Sequence, residues 1–106
     1  MNPKVQSIML EMQRALQELY KDRLVRIMLF GSHARGDASP RSDIDALIVL
    51  KGAVKPGEEI ARTGGIASEL SLKHDIVISC TFVSAERYEK EQSPLLINVR
   101  REGVAV

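Results

Sequence analysis

Two aspartates separated by one residue, Asp43 and Asp45, carry the most chemically suggestive pattern in the sequence. They open an apolar run that ends at Leu50, and such a run predicts a buried β-strand. Because side chains alternate faces along a strand, the two carboxylates should point to one side while Ile44 points into the core. Carboxylates on a rigid element are suitable ligands for Mg²⁺ that carries a polyphosphate. The pair therefore predicts a site for a metal-bound polyphosphate.

A glycine–serine pair, Gly31 and Ser32, follows an earlier apolar run over residues 24–30, which predicts a strand that ends in a turn. Ser32 is expected to cap a short helix that reaches about Gly36. Ser32 and the N–H groups at the start of that helix would hold the β- and γ-phosphates, as helix N-termini do for anions. Arg35, one helical turn after Ser32, could neutralise phosphate charge or pair with a carboxylate.

These groups also predict the topology of the sheet. The glycine turn ends strand one and Asp43 begins strand two, so the two can meet only if the strands run antiparallel. Strand three is predicted over Asp75–Phe82, after a helical segment that suits a right-handed crossover to a parallel strand. That places Asp75 at the same end as Asp43 and Asp45. Asp75 could complete the shell of a second metal ion or accept the proton of an attacking hydroxyl.

The remaining elements are predicted from helical spacing, capping residues and glycines. They are a helix over Pro3–Tyr20, a helix from Pro56 to about Leu72, a short helix from Ser84 through Lys90, a last helix after Ser93-Pro94, and an edge strand at Val104–Val106. Gly64 and Gly65 weaken the second of these by about 1 kcal/mol each relative to alanine, and mark a kink or a close approach to the sheet. The prediction is an α+β fold with a mixed sheet of order 1-2-3, strand one antiparallel, flanked by about four helices.

Length and composition predict one small domain over residues 1–106, with no room for a second substrate-binding domain. Lys and Arg number 15 against 14 Asp and Glu, and the basic residues are scattered, so no nucleic-acid surface is expected. No apolar run approaches the roughly 18 residues of a membrane span. The single cysteine, Cys80, lies in an apolar run and is expected in the core, and the expected compartment is the cytoplasm.

Each part of the motif, taken alone, has a simpler structural explanation. An Asp-X-Asp pair at a strand start is more often a turn or cap feature, and a lone Gly-Ser carries little information. Their combination at this spacing, between two buried strands, is specific. The segment matches neither a P-loop nor a calcium-binding EF-hand loop. His33 is expected at the edge of the site, stacked on a base or solvated, and His74 is expected to help end its helix.

The whole motif, Gly-Ser-X10-Asp-X-Asp, resembles that of the polymerase-β-like nucleotidyltransferase superfamily, and residues 30–50 are similar to its minimal nucleotidyltransferase (MNT) branch. The segments at 93–96 and 101–104 are also similar to the ending of small MNT proteins. The resemblance implies a nucleotide site and a site for Mg²⁺. Its implied metal and catalytic residues are Asp43, Asp45 and Asp75, and its implied nucleotide-binding residues are Gly31, Ser32, Arg35 and Ser42.

The same resemblance implies a function. Its members transfer a nucleoside monophosphate, usually AMP from ATP, to a hydroxyl with Mg²⁺, normally as two ions. Small MNT proteins often pair with a HEPN ribonuclease toxin as its antitoxin, and they can adenylylate a tyrosine of that partner. Two alternatives stay open: an antitoxin that acts by binding alone, and a transferase that acts on a small molecule or a nucleic acid.

Overall fold

The computed structural model describes residues 2–106, in which five α-helices and one 3₁₀ turn flank a four-stranded sheet. The helices are α1 (Pro3–Tyr20), α2 (Ser32–Arg35), α3 (Pro56–His74), α4 (Ala85–Lys90) and α5 (Pro94–Glu102), and the 3₁₀ turn is Lys21–Arg23. The strands are β1 (Leu24–Phe30), β2 (Ile44–Leu50), β3 (Ile78–Ser84) and β4 (Val104–Ala105). The predicted α+β class is confirmed, with one helix more than the number expected.

The sheet has the strand order β3-β2-β1-β4. β1 and β2 are antiparallel, and Phe30 pairs with Asp45 at the end where β1 stops. β2 and β3 are parallel, and Asp45 pairs with Ser79. The predicted order and strand directions are therefore confirmed. β4 adds the expected edge strand, antiparallel to β1.

The two faces of the sheet pack against different helices. One core contains Ile44, Ala46, Ile48 and Leu50 of β2 with buried residues of α1 and α3. The other contains Leu47 and Val49 of β2 with Tyr88 of α4 and residues of α5. Strand alternation therefore directs Asp45 to the face that α4 and α5 cover further along the strand. The site lies on that face, at the end of the sheet where the β1–β2 connection begins.

The helix starts follow the capping residues that the sequence offers. Asn2 Oδ1 accepts the N–H of Lys4 at 2.8 Å, ahead of a proline at the first helical position. Ser84 accepts the N–H of Arg87 at 3.2 Å, and Ser93 accepts that of Leu96 at 3.4 Å. All three predicted helix starts are confirmed. Within residues 2–106, no helix combines the length and the apolar character that a bilayer crossing requires.

The start of β3 differs from the prediction. α3 continues to His74, and Asp75 follows it in the left-handed conformation, with φ +51° and ψ +50°. The N–H groups of Asp75 and Ile76 both donate to the carbonyl of Ser71, which closes the last helical turn. β3 begins only at Ile78, so the placement of Asp75 at the start of a strand is wrong. Aspartate tolerates this backbone conformation better than most residues, which explains why the helix can end there.

A buried carboxylate fixes the start of α3. Glu59 is 2% exposed and accepts hydrogen bonds from Tyr20 at 2.7 Å, Arg23 at 3.0 Å and Arg62 at 2.6 Å. Burial raises the pKa of Glu59, but the hydrogen bonds from Tyr20 and Arg23 outweigh that effect and lower it overall. Because every partner is supplied, this group ties α1, the 3₁₀ turn and α3 together without leaving an unpaired charge.

Cys80 supports the expectation of a core residue. Its Sγ lies 4.0 Å from Sδ of Met12 in α1. The partly buried side chain packs against the core between the sheet and helices α1 and α3. Burial raises the pKa of the Cys80 thiol to about 11. The thiol is therefore protonated at neutral pH and poorly reactive.

Gly64 and Gly65 do not mark a close approach to the sheet, so that alternative of the prediction is wrong. Both are exposed within an uninterrupted α3, and a Cβ at either position would meet no atom within 4 Å. Replacing both with alanine is therefore expected to raise the free energy of unfolding by about 1–2 kcal/mol, measured by urea denaturation. Gly103→Ala is the matched control and should destabilise, because its Cβ would collide with the carbonyl oxygen of Val99. A double variant no more stable than the wild type would contradict the prediction.

Candidate active site

Gly31 places the chain directly against the carboxylate of Asp45. It follows β1 with φ +76°, and a Cβ built on it would lie 2.5 Å from Oδ2 of Asp45. Glycine is required twice here, once for the positive φ and once for the space that the carboxylate occupies. The structure thus brings together the glycine turn and the second aspartate, which the antiparallel pairing of β1 and β2 makes possible.

Asp43 and Asp45 form a pair of like charges in different surroundings. Asp45 is half-buried at the second position of β2, whereas Asp43 is exposed just before the strand begins. Burial raises the pKa of Asp45, the charge of Asp43 raises it further, and His33 and Arg35 act in the opposite direction. A divalent cation beside the pair would relieve this repulsion, and Mg²⁺ is commonly held by one or two carboxylates plus substrate phosphates. The donor set therefore fits Mg²⁺.

Ser32 is the first residue of α2 rather than its cap. Gly31 occupies the N-cap position, and its carbonyl accepts the N–H groups of Ala34 and Arg35, both at 3.1 Å. The prediction that Ser32 caps this helix is therefore wrong. Because the Ser32 hydroxyl does not cap the helix, it remains able to bind a ligand next to the N–H groups of the first turn.

Arg35 is paired with acidic side chains. Its Nε lies 3.2 Å from Oδ2 of Asp37, and its guanidinium lies 4.0 Å from Oε2 of Glu102 at the end of α5. Of the two roles left open for Arg35, the structure shows the pairing with a carboxylate. These side chains are about half exposed, and exposed ion pairs contribute only about 0–1 kcal/mol, so the pairing holds Arg35 only weakly.

Ser42 organises the loop that leads to Asp43. Its N–H donates to the carbonyl of Ser39 at 3.1 Å, and its Oγ accepts the N–H of Ser39 at 3.0 Å. The two hydroxyl groups also lie 3.1 Å apart. The Ser42 hydroxyl is thus engaged within the turn, and its contact with a nucleotide stays a prediction.

His33 is half-buried, and one nitrogen of its ring is engaged in a contact across a loop, whereas its stacking on a base stays a prediction. Its Nε2 lies 2.8 Å from the carbonyl oxygen of Ser42, across the loop that joins α2 to β2. No local pattern predicts this contact, since the two residues lie in different local structures and nothing in their spacing specifies a hydrogen bond.

Asp75 does not join the carboxylate pair in a metal-binding group. Among the residues from 2 to 106, no three or more His, Cys, Asp or Glu side chains are grouped so that they could hold a metal ion. The residue that β3 places beside Asp45 is instead Ser79, which is exposed. Ser79 was not predicted as a neighbour of Asp45, because β3 was expected to start three residues earlier. With the start at Ile78, the parallel register pairs Ser79 with Asp45. The expected convergence of three carboxylates is therefore not observed.

A cleft of about 500 Å³ lies on the other side of α2, between it and the N-terminal turn of α1. His33, Arg35 and Ser39 line it together with Lys4 and Ile76, whereas Asp43 and Asp45 do not. The cleft therefore lies beside the two carboxylates but is not lined by them. We identify the candidate site from its glycine turn and its carboxylate pair, and not from a cavity.

Comparison with known proteins identifies the family. The family model described as "Nucleotidyltransferase domain" matches residues 10–106. The chain therefore belongs to the nucleotidyltransferase-domain family and is a nucleotidyltransferase. A relative from Methanocaldococcus jannaschii, named "Putative protein adenylyltransferase MJ0141", is 43% identical over 74 residues, which cover 68% of this chain and 72% of that protein.

Solved structures share the fold. A chain in the crystal structure of a toxin-antitoxin complex with AMP-PNP matches with a TM-score of 0.62 at 22% identity, over 89% of this chain and 68% of that one. A chain in the structure of the tri-AMPylated Shewanella oneidensis HEPN toxin in complex with its MNT antitoxin matches with a TM-score of 0.50 at 21% identity, over 92% and 70%. At these identities the likeness shows the fold, which is that of minimal nucleotidyltransferases.

Proposed function

We propose that this chain is an antitoxin that transfers AMP from Mg·ATP to a hydroxyl, in particular a tyrosine, of a HEPN-domain ribonuclease toxin, and so neutralises it. The observation that carries the proposal is the contact of the Gly31 backbone with the Asp45 carboxylate. In our proposal the Gly31 turn binds phosphate and Asp45 binds the metal, so this contact supports a site for transfer from a nucleoside triphosphate. The name of the 43% identical relative and the toxin-antitoxin structures with the same fold support the choice of a protein acceptor.

Each group has a role in this proposal. Asp43 and Asp45 bind Mg²⁺, which when bound neutralises charge on the triphosphate and lowers the pKa of the attacking hydroxyl, with two ions able to share this work. Ser32 and the first N–H groups of α2 hold the β- and γ-phosphates, and Arg35 exchanges Asp37 for a phosphate oxygen. Because α2 and Gly31 lie on the β1 side of Asp45, the acceptor approaches from the β3 side, over Ser79.

The transfer itself is a displacement at phosphorus. The tyrosine oxygen forms a bond to the α-phosphorus of ATP, the bond from that phosphorus to the bridging oxygen of the β-phosphate breaks, and pyrophosphate leaves. The phenolic proton passes to a carboxylate or to water. Asp75 is the acceptor of that proton in our proposal, although it lies at the end of α3 rather than on β3.

Intact-mass measurement of a cognate HEPN protein tests the function. A HEPN-domain protein from the same organism is mixed with this chain and Mg·ATP, and the mass of the HEPN protein is expected to increase by one or more AMP units while its ribonuclease activity falls. Asp43→Asn should abolish the gain, and Asp22→Asn, which removes an exposed carboxylate at the other end of β1, should not. Inhibition without a mass gain, unaffected by Asp43→Asn, would show that the protein acts by binding alone. Turnover without a protein partner would point to a small-molecule or nucleic-acid acceptor.

A further inference from the structure

We propose that His33 is a positioning residue that holds Asp43 in place for the metal, by donating a hydrogen bond to the carbonyl oxygen of Ser42. The inference rests on the proposed metal site at Asp43 and Asp45. It concerns a residue to which neither the motif nor the comparisons give a role.

The two carboxylates are fixed in different ways. Asp45 lies inside β2, where strands on both sides hold its backbone through its pairing with Phe30 and with Ser79. Asp43 precedes the first residue of β2 and is exposed, so no strand pairing fixes it directly. Its position depends on the bonds made by the residues that flank it.

On each side of Asp43, one bond ties the neighbouring residue to another element or segment. After it, the N–H of Ile44 donates to the carbonyl of Val77 at 2.9 Å. Before it, the carbonyl of Ser42 accepts a hydrogen bond from Nε2 of His33 at 2.8 Å. Because a carbonyl oxygen only accepts, Nε2 must carry the hydrogen in this contact. The His33 bond therefore ties the loop side of Asp43 to α2.

The contact also links two halves of the proposed site. His33 is the second residue of α2, directly after Ser32, and it spans the loop to the residue before Asp43. The Ser39–Ser42 bonds close a turn inside that loop, but they do not connect it to α2. The imidazole thus joins the phosphate-binding turn to the carboxylate pair.

Mn²⁺ binding, measured by electron paramagnetic resonance on the protein without an acceptor, tests this role. His33→Ala is expected to weaken Mn²⁺ binding by about tenfold, which is the size of effect that one good hydrogen bond supplies. His33→Gln retains an N–H donor and should restore the affinity to within about threefold of the wild type. His74→Ala removes the other histidine, which contacts Glu11 on α1, and should leave Mn²⁺ affinity unchanged.

Kinetics separate positioning from a purely structural role. The concentration of Mg²⁺ needed for half-maximal transfer should increase with His33→Ala, while kcat at saturating Mg²⁺ stays within about twofold of the wild type. Wild-type Mn²⁺ affinity in His33→Ala, or no recovery in His33→Gln, would overturn the inference. If Asp43→Asn and Asp45→Asn also leave Mn²⁺ affinity unchanged, the proposed metal site fails as well; if they abolish binding, the error concerns His33 alone.

Discussion

Asp45→Asn is expected to lower AMP transfer by at least about 10³-fold and, at the same time, to raise the melting temperature of the metal-free protein at neutral pH. The loss of activity follows because a metal ligand is removed, and metal ions contribute several kcal/mol to transition-state stabilisation. The gain in stability follows because burial and the charge of Asp43 both disfavour the ionised carboxyl group of Asp45.

The sign of the pH dependence can be worked out from the raised pKa of Asp45. Between the pKa in the unfolded chain and the higher pKa in the folded protein, the folded state binds more protons, so the free energy of unfolding contributed by Asp45 falls as pH rises. Above the pKa in the folded protein, Asp45 is ionised in both states, and the full destabilisation by its buried charge is present. Thermal unfolding from pH 4 to pH 8 should therefore show the difference between Asp45→Asn and wild type growing with pH.

Ligand addition gives the control for this variant. Mg²⁺ with a non-hydrolysable ATP analogue should raise the melting temperature of the wild type, because a ligand that binds only the folded state stabilises it. Asp45→Asn should show little of this increase, whereas Asp22→Asn should retain it. Equal stabilisation of Asp45→Asn and wild type would mean that Asp45 does not take part in the nucleotide–metal site.

Gly31→Ala is expected to reduce AMP transfer by at least about 10²-fold and to lower the free energy of unfolding by about 2–3 kcal/mol. Two costs add up in this variant. The backbone of Gly31, with φ +76° and ψ −156°, lies in a region essentially restricted to glycine, which costs about 1–3 kcal/mol once a Cβ is present. The new Cβ would also lie 2.5 Å from Oδ2 of Asp45, so the carboxylate must move, and a displacement of about 1 Å in a catalytic group can cost about 10²-fold.

Gly36→Ala separates these two costs. Gly36 ends α2 with φ +82°, but a Cβ there would meet no atom within 4 Å. The control should therefore lose about 1–2 kcal/mol of stability and keep its transfer rate near that of the wild type. Urea denaturation and steady-state kinetics on the two variants give both quantities. A similar loss of activity in both would show that backbone strain, rather than the contact with Asp45, explains the effect.

The elements nearest the motif could be predicted from local pattern alone. The bounds of α1, β1 and β2 agree with the prediction because long periodic runs and strong stop signals define them, such as Pro3 at one end and Gly31 at another. The antiparallel pairing of β1 and β2 could be predicted because Gly31 follows the end of one strand and Asp45 lies at the start of the next, and only antiparallel strands bring them close together. These features depend on residue types whose preferences are the same in any fold.

The misplaced features depend on tertiary structure. Residues 76–78 are all apolar, and apolar residues occur both inside a strand and in the segment that precedes it. The sequence therefore could not show that β3 begins at Ile78. The left-handed conformation of Asp75 is one of several that aspartate tolerates, and only the packing of α3 selects it. The bond from His33 to Ser42 joins a short helix to the loop that follows it, and no periodicity predicts such a contact.

The antiparallel pairing of β1 and β2 has a consequence for the order of folding. These strands are consecutive in sequence, so pairing them closes a short loop, whereas pairing β2 with β3 must first order the crossover that contains α3. The entropy lost on closing a loop grows with its length, so the β1–β2 hairpin is expected to form first. Gly31 and Asp45 therefore meet in the earliest native pairing, and a folding intermediate without β3 would already contain this half of the nucleotide site.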